Sequence, residues 1–533
     1  MSTRTACLGR KQNSREEVSM GNRWRVFAAT VASLTLLAAC GGGNTGNSTG
    51  GGNLTIAFDS YPQDMNPYSP TIDPQSLFVM NSWLEYLVEP SPDGSKLVPT
   101  LASAYQVSTD NKTYTFTLRA GVKFSDGSAM TPDDVVYSLH QAFEQKGSQI
   151  GFLSGLVSSI SSPDANTVVV ALKSPWPYLL QDLSGFNAPI LPAKLAQAQG
   201  LDNFLKHPIG TGPFVLASTA AGDSIKVTKN KNYWDSGKPH LDSITFKVIS
   251  SDVGRANAVK GGQADIAVDP PLNQIPTFKN DSTLKVLTFP ASQLISMIVN
   301  AKQPPLTDPK VRRAIAIAID RKAIVQAALF GTGEPANSFV VPPSGLTFLD
   351  TGLDGFPYDP NQAKQLLSQS GVKLPLKIQA YFPQGAVQDA ISTVMQSNLQ
   401  AVGINLDIVR SDLVTIKSHL VAGTFGLASS GWDNFIGDPS VQVLFFMDPA
   451  YCCKSDFSGY DDKAGAALAN QAVAATDPTQ AKALYSQVQK LQADSSHVIP
   501  LYYPDLVFLT TTKVTGFSSD PFGTYSYPTI ALS

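Results

Sequence analysis

The chain is short of charge, histidine and cysteine. Only 15% of its residues are charged and the net charge is -3. No long basic stripe is present, so nothing electrostatic recruits nucleic acid. The five histidines, His140, His207, His240, His419 and His497, stand singly, without HExxH or a cysteine or carboxylate partner at metal-ligand spacing. They read as structural or exposed, and no metal or cofactor is expected. No GxxxxGK[ST] exists, and "GTGEP" at Gly331 lacks the third glycine of a dinucleotide fingerprint, so the chain is not its own ATPase. "GFLSG" at Gly151 to Gly155 has its serine one place late for a nucleophile elbow. The carboxylate pairs Asp133-Asp134 and Asp461-Asp462 have the chemistry for glycoside cleavage, but the first pair falls in a helix's opening turn, where the helix dipole accounts for it.

Of the four cysteines, Cys7 and Cys40 fall near the amino terminus, leaving Cys452 and Cys453. Adjacent alpha carbons lie about 3.8 Å apart, below the usual disulfide range of about 4.4 to 6.8 Å. A bridge between them would be strained and easily reduced; the alternative is two free thiols.

Long apolar runs are scarce too. Arg23 and Arg25 precede the apolar stretch Val26 to Ala39, which is shorter than the roughly 20 residues that a permanent transmembrane helix needs. Residues 1–39 therefore read as a secretory signal peptide, and because Met20 opens a conventional one by itself, the start is expected there. Leu37-Ala38-Ala39-Cys40 resembles a bacterial lipobox, which implies cleavage before Cys40 and a lipid on its sulfur. The Gly, Asn, Ser and Thr run that follows, residues 41–53, reads as a flexible tether with a reach of about 20 Å. Beyond it no apolar run reaches about 18 residues, so lipid is the expected membrane contact.

The whole chain is 43% hydrophobic, and its body from Leu54 to Ser533 has room for about three domains. Strand and helix signals alternate, which predicts an α/β protein. Tyr114, Phe116 and Leu118, and again Ile244, Phe246 and Val248, alternate with polar residues as half-buried strands do. Three helices are predicted in "TPDDVVYSLHQAF", "DPKVRRAIAIAIDRKAIV" and "DPTQAKALYSQVQKLQ", with Thr131, Asp308 and Asp477 as N-caps and proline at N1. The second, rich in isoleucine at 315, 317 and 319, is expected to be deeply buried. In the third, Ala481, Leu484, Val488 and Leu491 predict one buried face, with glutamines and lysines toward water.

The order of segments resembles a known family. "LTIAFDSYPQDMNP", "LVEPSPDGSKLVPTLASAYQVSTDNKTYTFTLRAGVKFSDGSAMTPDDVVYSL", "HPIGTGPFVL", "NKNYWDSGKPHLDSITFKVI", "AVKGGQADI", "VNAKQPPLTDPKVRRAIAIAIDRKAIV", "SSGWDNFIGDP" and "VIPLYY" follow one another as in the solute-binding proteins of ABC importers of the oligopeptide, dipeptide and nickel type. The resemblance implies a periplasmic-binding-protein-like type II (Venus flytrap) α/β fold of two lobes with an inserted domain. Domain I would comprise 54–85, 191–298 and 500–533, domain II 86–190 and domain III 299–499. It also implies a monomer that closes by hinge motion on a solute between domains I and III and presents it to a membrane permease and its ATPase subunits. Gly210, Gly212 and Pro213 would be structural. Such a protein would work outside the cytoplasm, held to the cell membrane by Cys40.

In peptide-binding relatives the last but one segment reads G-W-x-x-D, and its aspartate takes the peptide's ammonium. Here Phe435 stands at that position, and an apolar ring cannot stabilise a buried ammonium. Asp433, two residues earlier, projects to the same face of an extended segment about 7 Å away. Trp432, Asp433, Asn434 and Phe435 are therefore the expected pocket residues, with Asp433 as a replacement charge; the alternative has Trp432 in the core and Asp433 in an exposed loop. Tyr68, Thr71 and Asp73 join them from the family's topology alone. Short peptides or peptide-like solutes are the leading ligands, with oligosaccharides and metal chelates as alternatives on the same scaffold. A secreted hydrolase and a surface adhesin or sensor are the readings of another class.

Overall fold

The computed structural model describes residues 51–69, 72–342, 350, 352–434, 437–451 and 457–533. The leader, Cys40, most of the tether, Thr71, Phe435, Cys452 and Cys453 lie outside the described residues. Among those described, no helix is long and apolar enough to cross a membrane.

The tether ends earlier than its composition suggests. Asn53 already belongs to the first strand, Asn53–Phe58, pairing with Ser243, and the Gly52 amide donates to the Asp242 carboxylate at 2.9 Å. That strand runs parallel to both Ser243–Val248 and Ile266–Val268. All three join a twelve-stranded mixed sheet. Its axis is the long strand Val498–Thr511. The first half of this strand pairs with Gln293–Val299 and Gly333–Pro335, and the second half with Leu284–Pro290 and Ile266–Val268. One continuous strand thus serves two sets of partners. On the first side the sheet continues through Leu427–Asp433 to Leu376–Pro383 and Ile404–Ser411. On the other it continues through Asn53–Phe58 to Ser243–Val248, Ser224–Lys229 and Phe214–Ala220. A separate four-stranded antiparallel sheet is carried by residues 102–172.

Both alternating segments are strands. Tyr114, Phe116 and Leu118 are buried in Thr113–Leu118, and Ile244 and Phe246 in Ser243–Val248. The helix Pro132–Glu144 starts on Thr131, whose amide and hydroxyl both donate to Asp134, each at 2.7 Å. Asp308 accepts from the Lys310 amide at 2.8 Å, and Asp477 from that of Gln480 at 2.8 Å. A helix-opening role for Asp134 is thereby visible in its bonds.

Two helix expectations change. The stretch expected as one helix is two, Pro309–Ala318 and Arg321–Leu329, separated by an extended Ile319. Asp320 is the reason: its carboxylate accepts from the Ala323 amide at 3.0 Å and starts a second helix. The burial expectation holds, since Ile315, Ile317 and Ile319 are fully buried. Asp320→Ala is expected to cost about 1 kcal/mol, read as a lower urea midpoint at unchanged slope. In Pro478–Ser495 the buried face is rotated relative to the expected one. It is centred on Ala481, Tyr485, Val488 and Gln492, with Leu484 and Leu491 at its margins. The glutamines there do not all face water: Gln489 accepts from the Ser338 hydroxyl at 3.0 Å, and Gln492 donates to the Val498 carbonyl at 2.5 Å. Paired amides can sit in a core that period alone would deny them.

Candidate functional site

Three places where the chain changes direction converge on a cavity of about 200 Å³. The helix Pro74–Met80 contributes Pro74, Gln75 and Phe78, and the loop near the carboxyl terminus contributes Pro521, Phe522 and Gly523. The sheet contributes Asp269, Ala291, Ser292, Gln293, Asp433, Asn434, Asp505 and Leu506. The cavity therefore lies where the two sets of partners of Val498–Thr511 meet.

Asp433 ends the strand Leu427–Asp433 directly opposite Gln293, whose side-chain amide donates to its carboxylate. Asn434 follows it, with its backbone amide bonded to the Ser292 carbonyl at 2.8 Å. Asp269 follows the strand Ile266–Val268 in the left-handed region, at φ 48°, a conformation that aspartate tolerates better than most residues. Asp505 lies opposite Pro290. Asp433 and Asp269 are exposed toward cavity space and Asp505 is half-buried, with protein crowding each of them from behind. Burial pushes Asp269 up to about 6, with Arg255 opposing and Asp59 adding to the rise. Burial also lifts Asp505 to about 6, with Glu334 contributing. Asp433 is raised by burial as well, against the Gln293 hydrogen bond that favours its charged form. Among the described residues lining the cavity there is no lysine, arginine or histidine. The lining is acidic.

Of the expected pocket residues, Asp433 and Asn434 line this cavity and Trp432 does not. Strand alternation explains it: neighbours point to opposite faces, and the Trp432 ring packs on Phe445 and Phe446, with centroids 4.5 and 5.5 Å away. Tyr68 is a buried core residue, and Asp73 caps the helix Pro74–Met80, accepting from the Ser76 amide at 2.8 Å, the Ser76 hydroxyl at 2.6 Å and the Gln63 amide at 3.0 Å. Neither lines the cavity. Asp269, Asp505, Ser292, Phe78 and Phe522 escaped the sequence reading. A lone aspartate inside the apolar run "LYYPDLVFL" was the one available signal for Asp505.

His497 is buried, stacks on Tyr460 at 4.3 Å and bonds to the Phe446 carbonyl at 2.9 Å. Among the described residues no three His, Cys, Asp or Glu side chains are arranged to hold a metal ion.

The bacterial extracellular solute-binding proteins, family 5 Middle, match this chain over residues 96–451. The chain belongs to that family. This solute-binding protein is 29% identical over 477 residues to the probable di/tripeptide-binding protein 5 of Pseudomonas aeruginosa, covering 84% of this chain and 89% of the relative. It is 29% identical over 476 residues to the glutathione-binding protein GsiB of Escherichia coli, at 87% and 91% coverage. Its fold matches that of the substrate-binding protein CtaP of Listeria monocytogenes, with a TM-score of 0.80 at 24% identity, over 91% of this chain and 99% of that one. The α/β fold is thus of the periplasmic-binding-protein type, and the family and the relatives named are solute-binding proteins, not enzymes.

Proposed function

We propose that this family member captures short peptides or peptide-like solutes for an ABC importer, from a position outside the cytoplasm and anchored by lipid on Cys40. Domains I and III, with the boundaries 54–85, 191–298 and 500–533 for the first and 299–499 for the third, would close over the cavity, leaving domain II at 86–190 outside it. Cleavage before Cys40 and delivery to permease and ATPase subunits complete the reading.

The observation that carries it is the cavity's charge. A peptide's amino terminus is a cation, and Asp433 is a cavity-lining carboxylate two residues before Phe435, which replaces the family's aspartate. A charge-assisted hydrogen bond in such a site is stronger than in water. The names of the relatives, di/tripeptide-binding and glutathione-binding, agree with a ligand of this size.

Thermal unfolding against separate pools of di- to pentapeptides, oligosaccharides and metal chelates tests the reading. A ligand at about 100 times its dissociation constant adds roughly 2.7 kcal/mol to stability. Peptides are expected to stabilise the protein; stabilisation by sugars or chelates alone would overturn the peptide reading. Asp433→Ala is expected to weaken peptide binding at least about tenfold, and an unchanged dissociation constant would remove Asp433 from the site.

A further inference from the structure

One ammonium does not use all of this cavity. Three carboxylates line it, and they fall into two groups along the sheet. Asp433 stands opposite Gln293. Asp505 stands opposite Pro290, and Asp269 is tied to the same stretch by its amide, which donates to the Val507 carbonyl at 3.0 Å. Pro290 and Gln293 are three residues apart in sequence, which places the two groups up to about 10 Å from one another.

Between them lies Ser292. It is 4% exposed and lines the cavity, and its hydroxyl has no hydrogen-bond partner among the described residues. Its backbone is fully engaged, with its amide on the Pro521 carbonyl at 2.7 Å and its carbonyl accepting from Asn434. A buried hydroxyl left unpaired is costly, and a ligand spanning the cavity would supply the missing partner.

The charged groups behind the second pole leave it negative on balance, although the Arg255 charge opposes Asp269. Arg255 spends its guanidinium on the main-chain carbonyls of Val268, Ile249, Ser250 and Asp269, at 2.7 to 3.0 Å. Asp59, bonded to the cavity residue Gln75 at 2.5 Å, and Glu334 add further negative charge near Asp269 and Asp505. Extended peptide spans about 3.5 Å per residue. A lysine or arginine at the first or second position can therefore reach the far pole while the amino terminus stays at the near one.

We propose that the cavity has two anionic poles and selects solutes with two cationic centres, foremost short peptides with a basic side chain near the amino terminus. The α-ammonium binds at Asp433, the side-chain cation at Asp269 and Asp505, and the Ser292 hydroxyl bonds the backbone between them. This rests on the peptide-binding reading of the same site.

Calorimetric titration of the protein with Ala-Ala, Ala-Lys and spermidine decides it. Ala-Lys is expected to bind at least about tenfold tighter than Ala-Ala. Asp505→Asn and Asp269→Asn should each reduce the ratio of Ala-Lys to Ala-Ala affinity toward one, whereas Asp433→Asn should weaken both peptides and leave that ratio unchanged. Asparagine suits position 269 because it tolerates the left-handed backbone there. Equal affinity for Ala-Lys and Ala-Ala would overturn the two-pole inference and leave the peptide reading standing. Binding of spermidine alone, lost in both Asp433→Asn and Asp505→Asn, would keep the two poles and overturn the peptide reading. No binding of any of the three would overturn both. The unmodified protein's own preference decides the matter even where a variant folds poorly.

Discussion

Gly210→Ala is expected to cost about 3 kcal/mol or more. A Cβ at Gly210 would lie 1.9 Å from the Trp83 carbonyl oxygen and 2.9 Å from its carbon. One at Gly212 would meet the same peptide unit at 2.6 Å. The obstacle is main chain, and it is held from several directions. The Gly212 amide donates to the Trp83 carbonyl at 3.1 Å, the Phe214 amide to that of Ser82 at 3.0 Å, and Trp83 itself is buried. The Gly210 carbonyl in turn accepts from Ser125 at 2.9 Å, so displacement would also disturb the contact with residues near 125. Gly155 supplies the control: a Cβ there meets nothing within 4 Å, and Gly155→Ala should change stability by no more than about 0.5 kcal/mol. Urea unfolding of both variants checks the pair. Equal midpoints would show that the Trp83 backbone can move aside.

The second large effect is on pH. A cavity of about 370 Å³ at the other end of the carboxyl-terminal loop is lined by Glu85, Glu89 and Asp520. Burial pushes Glu85 up to about 7, against hydrogen bonds from Trp234 and Tyr233 that favour its charge. Glu89 rises to about 8, by burial and then by the neighbouring Glu85 and Asp520. Asp520 reaches about 7 for the same first reason. Folded pKa values above the unfolded ones mean that the folded state binds more protons. The associated stability is fully present below the unfolded values near 4 and is lost as pH rises through about 7 to 8. For Glu85 alone the difference corresponds to roughly 3 kcal/mol. Asp93, lowered to about 2 by hydrogen bonds from Ser91 and Ser95, has the opposite sign, and its contribution disappears as pH falls from about 4 toward 2. The melting temperature of the ligand-free protein is therefore expected to peak near pH 4 and to fall as pH rises to about 8. Asp520→Asn tests the cause. Its Oδ1 accepts from the Phe522 and Thr524 amides at 2.9 and 2.8 Å, a role that an amide oxygen retains, so the variant should lose the alkaline decline in part. A flat profile in the unmodified protein would refute the assignment.

Sequence by itself determined the family and the elements. Segment order needs no geometry, and N-cap aspartates followed by proline act on amides a few residues away, so Asp308 and Asp477 could be read locally. The turn glycines were legible as structural, and the buried face of Thr113–Leu118 followed from simple alternation. Asp433 and Asn434 came from a departure at Phe435 that one segment displayed. What tertiary structure decided was which of the expected residues share a space. Trp432 is adjacent to Asp433, yet the pleat turns it onto Phe445. Asp73, offered as a pocket residue, spends its carboxylate on its own helix and on Gln63. The rest of the cavity comes from Asp269 and Asp505, which lie far from position 433 or in apolar surroundings and carry no local mark of function. They meet Asp433 because the single strand Val498–Thr511 binds both sets of partners side by side. A carboxylate's chemistry is written in its residue type, but its desolvation and its neighbours exist only once distant strands have paired.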